Sequence, residues 1–78
     1  MIENVKEFAD ALPRVRRKIF NMLMTGRHLS ATDLSIATGA CDPRGHIRDL
    51  RDMGVDIRDY WETPTDDVRY KRYYIPSK

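Results

Sequence analysis

Apolar residues recur at spacings of three and four over the first third of the chain, which is the spacing of one face of an α-helix. In the segment 13–25 the stripe consists of Val15, Ile19, Met22 and Leu23, with Phe20 beside it. It predicts a helix over this segment that Gly26 ends. In the segment 1–12 a weaker stripe consists of Val5, Phe8, Ala9 and Leu12, and it predicts a short helix or a docked tail. Pro13 separates the two segments, because proline disfavours a helical conformation in the residue before it.

A second helix is predicted to begin after Leu29. Ser30 and Asp33 have the types and the spacing of a capping box, in which each side chain binds a free backbone N–H of the other residue. Leu34 and Ala37 are predicted to face inward from this helix. The glycine in the segment 38–41 then indicates a tight turn.

The segment 42–53 is predicted to be a third short helix, capped by the Asp42 side chain and with Pro43 in its first turn. Its apolar positions lie three residues apart and are predicted to face the core: Ile47, Leu50 and Met53. Its basic side chains point elsewhere, with Arg51 at the edge of the apolar stripe: Arg44, His46, Arg48 and Arg51. Two short helices joined by a glycine-containing turn are typical of a helix-turn-helix.

After Gly54 the pattern changes from a helical period to a period of two. This predicts strands over 55–62 and 68–75, joined by a polar turn over 63–67, with residues 28–29 as a third short strand. An isolated hairpin is marginally stable. The hairpin is therefore predicted to pack on the helices, through Ile57, Tyr73 and Ile75.

Three helices, a link strand and a terminal hairpin are the elements of a winged helix-turn-helix, an α+β fold predicted here over residues 13–78. The run RDLRDMGVDI at 48–57 and the run RYKRYYI at 69–75 resemble small winged-helix proteins of phages and prophages. In that group an arginine-containing helix ends in Asp-Leu-Arg-x-x-Gly-x-x-Ile before the wing, and the chain ends in Arg-Tyr-x-aliphatic. Residues 29–34 are similar to the group's entry into its second helix. The resemblance spans roughly 19–75 and implies DNA binding in transcription control, excision or another DNA transaction.

Composition and charge add little to this picture. Seventy-eight residues make one small domain, and no apolar run approaches the roughly 18 residues that a membrane span requires. The single cysteine, Cys41, fits a reducing compartment, so we expect a cytoplasmic protein. The net charge is only +2, but basic residues concentrate between Arg14 and Arg51 and acidic residues flank them. This distribution is a weak indication of a polyanionic partner.

The sequence gives no support for an enzyme, a cofactor or a small-molecule substrate. It contains no phosphate-binding loop and no nucleophile with a paired base. His28, His46, Cys41 and Asp42 match no established metal-ligand spacing, so no metal site is predicted.

The predicted partner is double-stranded DNA. Base contacts are assigned to the helix 42–53, through Arg44, His46, Arg48 and Arg51. Backbone contacts are assigned to the first long helix, the link and the wing, through Arg16, Arg17, Lys18, Arg27, Arg69, Lys71 and Arg72. Phosphate contacts would supply affinity, and base contacts would supply sequence preference.

A protein-interaction module on the same scaffold is the alternative, with another protein or a second copy of the chain as partner. Asp66 and Asp67 at the predicted wing tip would repel DNA, and the hairpin carries many aromatic side chains. Both features favour this alternative, whereas the arginines of the helix 42–53 oppose it.

Overall fold

The computed structural model describes residues 5–76, which form four helices and a three-stranded antiparallel sheet. The helices are α1 (Val5–Asp10), α2 (Arg14–Met24), α3 (Ala31–Thr38) and α4 (Pro43–Asp52). The strands are β1 (Leu29–Ser30), β2 (Arg58–Thr65) and β3 (Val68–Tyr74). This part of the chain is thus a small α+β domain, and it has no helix long and apolar enough to cross a membrane. Residues 1–4 of the predicted N-terminal segment and residues 77–78 of the predicted domain lie outside the described range.

The sheet has the strand order β1-β3-β2, so a third short strand is present as predicted, one residue later than the predicted 28–29. Leu29 lies opposite Tyr73, and β3 continues the ladder with β2. The hairpin differs from its prediction, because β2 starts later and runs through the predicted turn as far as Thr65. Pro64 is tolerated there since β2 is an edge strand, where a proline does not interrupt a ladder on both sides. Only Asp66 and Asp67 form the turn.

The core lies where the helices meet the base of the sheet. Its fully buried side chains come from the three helices α2, α3 and α4: Ile19, Phe20, Leu23, Leu34, Ile47 and Leu50. Tyr73 and Ile57 close the core from the sheet side, and Ile75 packs partly against it. The predicted anchoring of the helix 42–53 through Ile47 and Leu50 is confirmed.

Helix α3 begins where the capping box predicted, but the residues that it buries differ from those predicted. The Ser30 side chain accepts from the Asp33 N–H and the Asp33 carboxylate accepts from the Ser30 N–H, which completes the capping box. Ala37 was predicted to face inward and is exposed, whereas Thr38 is buried. The Thr38 hydroxyl donates to the carbonyl of Leu34 at 2.7 Å, so its burial leaves no polar atom unsatisfied.

Pro43 occupies the first turn of α4 as predicted, but the predicted cap by the Asp42 side chain is wrong. The Gly45 N–H bonds to the backbone carbonyl of Asp42, at 3.2 Å, and not to its carboxylate. That carboxylate instead lies 3.7 Å from Nε of Arg44, on the surface.

Met53 was predicted to lie on the buried stripe of α4 and is instead 46% exposed. The helix ends at Asp52, and Gly54 takes a positive φ of 99° directly after Met53. This turn redirects the chain, so Val55 and Ile57 enter the core in place of Met53.

Candidate nucleic-acid interface

Two arginines stand free on the outer face of α4. Arg44 and Arg48 are separated by one helical turn, and so they project from the same side of the helix. The Arg44 side chain is 75% exposed, and its only ion pair among residues 5–76 is the 3.7 Å contact with Asp42. Arg48 is exposed and has no hydrogen bond or ion pair within that range. Two exposed guanidinium groups on one face, of which only Arg44 has a weak, exposed partner, can bind phosphate or the acceptor edge of guanine.

An open groove of about 540 Å³ separates this end of α4 from the hairpin. The first turns of α3 and the turn before α4 form one wall, and the strands β2 and β3 form the other. The groove is lined by Ser30, Ala31, Thr32, Ser35, Cys41, Asp42, Pro43, Arg44, Trp61, Tyr70, Lys71 and Tyr73. Arg44 and Lys71 therefore border one concave surface, which we call the cationic groove.

The hairpin contributes two cations and an exposed indole to this side of the molecule. Trp61 is 52% exposed and lies directly opposite Lys71 in the β-ladder. The Arg69 guanidinium lies 4.0 Å from the centre of the indole ring, and Lys71 Nζ lies 5.3 Å from it. Such cation–π contacts hold the positive charges in place without neutralising them. Residues of alternating number share a sheet face, so these three side chains lie on the same face as the buried Tyr73.

The hairpin tip has the opposite charge. Asp66 and Asp67 are exposed in the turn between β2 and β3. Positive charge therefore lies along the side of the hairpin, beside the cationic groove, and negative charge lies at its end. A polyanion would contact the side of the hairpin and avoid its tip.

Arg16 and His46, both predicted to contact DNA, instead contact each other between α2 and α4. The Arg16 Nη2 lies 2.6 Å from Asp49 Oδ2, and its Nε donates to His46 Nδ1 at 3.3 Å. The Arg16 side chain is only 18% exposed. This contact ties the back of α4 to α2, on the side away from Arg48.

Loss of the Arg16 contact is expected to destabilise the fold. Arg16→Ala should lower the free energy of unfolding by about 1–2 kcal/mol, because it removes a charge-assisted hydrogen bond from a half-buried site. The matched control is Arg58→Ala, whose ion pair with Asp56 at 3.3 Å is well exposed. The control should cost less than about 0.5 kcal/mol. Urea denaturation of both variants measures the difference, and equal losses would show that Arg16 is not a tertiary clamp.

Arg17 also has an internal role that the sequence did not reveal. Its guanidinium donates to the carbonyls of Ala9, Asp10 and Leu12 at 3.0, 2.9 and 3.2 Å. These carbonyls lie at and beyond the end of α1, where a helix lacks internal hydrogen-bond partners and carries partial negative charge. Two cations at the start of α2 thus find acceptors within the protein: the Asp49 carboxylate for Arg16 and the backbone carbonyls at the end of α1 for Arg17.

Arg51 joins the end of α4 to the sheet. It donates to the carbonyl of Ile57 at 2.9 Å and to Asp59 Oδ2 at 2.8 Å, and its guanidinium lies 5.9 Å from the Tyr73 ring. Lys71 Nζ lies 3.9 Å from the other oxygen of Asp59. Because Arg51 is held by three groups, it is not free to contact a base as Arg48 is.

Arg72 lies on the sheet face opposite Arg69 and Lys71. It donates to Glu62 at 3.0 Å, to the carbonyl of His28 at 3.0 Å and to the Tyr70 hydroxyl at 3.2 Å. The hydrogen bond with Tyr70, together with the Glu62 carboxylate, raises the pKa of Arg72 against the effect of desolvation. Arg72 on β3 therefore links β2 to the residue that precedes β1.

Lys18 and Arg27 are both exposed, and among residues 5–76 neither has an ion pair. Arg27 does not meet the cationic groove, because it lies in a second groove on the other flank of α3. Of the predicted site residues, the structure thus brings Arg44 and Lys71 together around the cationic groove, with Arg69 and Arg48 beside them.

The sequence reasoning did not assign Trp61, Thr32 or Ser35 to the site. Trp61 lies opposite Lys71 in the hairpin. This pairing could have been predicted only if the bounds of the two strands had been known. Thr32 and Ser35 reach the cationic groove only through the packing of α3 beside α4.

No family model matches this chain, and neither does any curated protein or solved structure. The resemblance to phage winged-helix proteins therefore stays a prediction.

Proposed function

We propose that the chain is a winged helix-turn-helix protein that binds double-stranded DNA. In this assignment α3 and α4 are the helix-turn-helix, α4 is the recognition helix, and the β2–β3 hairpin is the wing. The observation that carries the proposal is that Arg44 and Arg48 project together from one exposed face of α4, with no partner beyond the exposed 3.7 Å contact between Arg44 and Asp42. Arg16, Arg17, Arg51 and Arg72 are held by internal partners, whereas these two project from one exposed helical face.

The dimensions of α4 suit a DNA major groove. Its ten residues span about 15 Å, and the major groove of B-DNA is about 12 Å wide, enough for one helix. Ile47 and Leu50 fix the helix on the core, so its outer face is presented rigidly. Arg44 and Arg48 would then meet base edges or the adjoining phosphates.

The cationic groove gives the DNA backbone a path between α4 and the wing. Arg44 on one wall and Lys71 on the other would contact phosphates, with Arg69 placed beside them over the Trp61 ring. The acidic tip of the wing would repel the phosphates and so would not enter a DNA groove deeply. The DNA would therefore contact the side of the wing. The proposed role is regulation of transcription, excision or a similar phage-type DNA transaction in the cytoplasm, with no catalytic step.

Binding to random-sequence duplex DNA at increasing salt tests the proposal. Four cations, namely Arg44, Arg48, Arg69 and Lys71, would release about four counterions, so log K against log salt should slope by about −3.5. Lys71→Ala combined with Arg69→Ala should make the slope shallower by about two. A flat slope, or no binding at low salt, would contradict the proposal and favour a protein-interaction module on this scaffold.

A further inference from the structure

Two apolar side chains lie uncovered on the outer face of α3. Ile36 is 80% exposed, although Leu34, two residues earlier, is fully buried. Ala37 beside it is exposed too. Apolar residues thus lie on both sides of this eight-residue helix, and on the exposed side Ile36 and Ala37 stand beside the polar Thr32 and Asp33.

Ile36 borders a second groove, of about 550 Å³, between α3, the end of α2 and the link before β1. Its apolar lining consists of Met22, Leu29, Ile36 and Ala37. Charged groups complete the lining: Arg27 and Arg72 carry positive charge, and Asp33 carries negative charge. An occupant of this groove would need an aliphatic side chain and a charged group close to it.

This second groove is separate from the proposed DNA surface. Ala31, Thr32 and Ser35 line the cationic groove, whereas Asp33 and Ile36 line the second one. The two flanks of α3 therefore face different cavities. A partner in the second groove leaves Arg44 and Arg48 uncovered.

We infer that the occupant is a second copy of this chain, docked through α3 about a two-fold axis. The exposed face of α3 itself carries an aliphatic side chain and a charged group of the kind that would fit the groove. These are Ile36 and Asp33, which lie three residues apart on one side of the helix. In a two-fold contact Ile36 of each copy enters the other's groove, and Arg27 of each copy faces Asp33 of the other. Asp33 remains able to accept this contact, because the capping hydrogen bond and the 3.7 Å approach of Arg72 both involve Oδ2 and leave Oδ1.

The inferred dimer does not depend on DNA binding. If the proposed function also holds, the dimer presents two α4 helices to two half-sites, as helix-turn-helix dimers do. The apolar patch is small, so association should be weak and concentration-dependent, as for interfaces below about 1,200 Å².

Sedimentation equilibrium of the protein without DNA tests the inference. Between about 10 µM and 1 mM the average mass should rise from that of one chain, 9.2 kDa, towards that of two. Ile36→Lys should raise the dissociation constant at least about tenfold by placing a charge in the apolar contact. Arg27→Glu should raise it several-fold by repelling Asp33. Val68→Lys is the control: Val68 is 45% exposed on the wing, so this variant should dimerise like the parent.

Melting temperatures near that of the parent would show that each variant folds, as expected for changes at exposed positions. A parent protein that stays monomeric at the highest concentration would overturn the inference. A dimer that Ile36→Lys leaves unchanged would overturn the assignment to α3. Because no DNA is present, a failure of the proposed DNA binding cannot produce either result.

Discussion

Replacing both Arg44 and Arg48 with alanine is expected to weaken binding to a selected DNA site about 100-fold or more. Each bidentate arginine–base contact discriminates by about 1–3 kcal/mol, and the two residues lie on one face of α4, the proposed recognition helix. Fold stability should hardly change, because both side chains are exposed. The measurement is a titration of each variant against a site enriched from random duplexes and against scrambled DNA, at one salt concentration.

The matched control is Arg14→Ala combined with Lys18→Ala. It removes the same charge from exposed positions on α2, which do not line the cationic groove. The control should lower the affinity for DNA only slightly, and by the same factor for the selected site and for scrambled DNA. If the Arg44 and Arg48 variant also lost affinity equally for both DNAs, these arginines would contact only phosphate and α4 would not read sequence.

Leu50→Ala is expected to lower the free energy of unfolding by about 2–4 kcal/mol. Leu50 has no exposed surface, and it packs in the core with Ile47 and side chains of α2 and α3. A domain of this size has a total stability of roughly 4–12 kcal/mol, so the variant should melt at least about 10 °C lower.

Met53→Ala is the control for Leu50→Ala. Met53 lies three residues further along the chain and is 46% exposed, so its truncation should cost less than about 0.5 kcal/mol. Thermal denaturation followed by circular dichroism compares the two. Similar melting temperatures for both variants would mean that α4 is not anchored through Leu50.

The parts of the fold that could be predicted depend on neighbouring residues. The apolar spacing from Val15 to Leu23 determines a helix within its own segment, and the Ser30–Asp33 capping box acts over three residues. Gly39 takes a φ of 76° where a turn was predicted. Each of these features follows from local geometry, so a single sequence carries enough information.

The partners of the arginines could not be predicted, because they are distant in sequence. Arg16 and Asp49 are 33 positions apart, and Arg72 and the carbonyl of His28 are 44 apart. Before the helices pack, each of these arginines is indistinguishable from a free surface cation. The basic stretch therefore suggested more unpaired cations than the packed domain contains.

The errors in helix orientation and hairpin length have a similar origin. The choice of Ala37 over Thr38 as a core residue followed apolarity, yet a hydroxyl that bonds to the carbonyl four residues earlier is easily buried. Pro64 suggested a turn, but an edge strand accepts it. In both cases the packing of the whole domain, and not the local sequence, determined which residues are buried and where the strand ends.

The most direct test of the central claim is an NMR titration of the isotopically labelled protein with a short DNA duplex. If DNA binds as proposed, chemical-shift changes are expected in residues 42–52 and in the strands around Trp61 and Lys71. The amides of α1 and of the outer face of α3 should hardly move. Shift changes confined to α1 or to the surroundings of Ile36, or no changes at all at low salt, would contradict a DNA surface built on α4 and the wing.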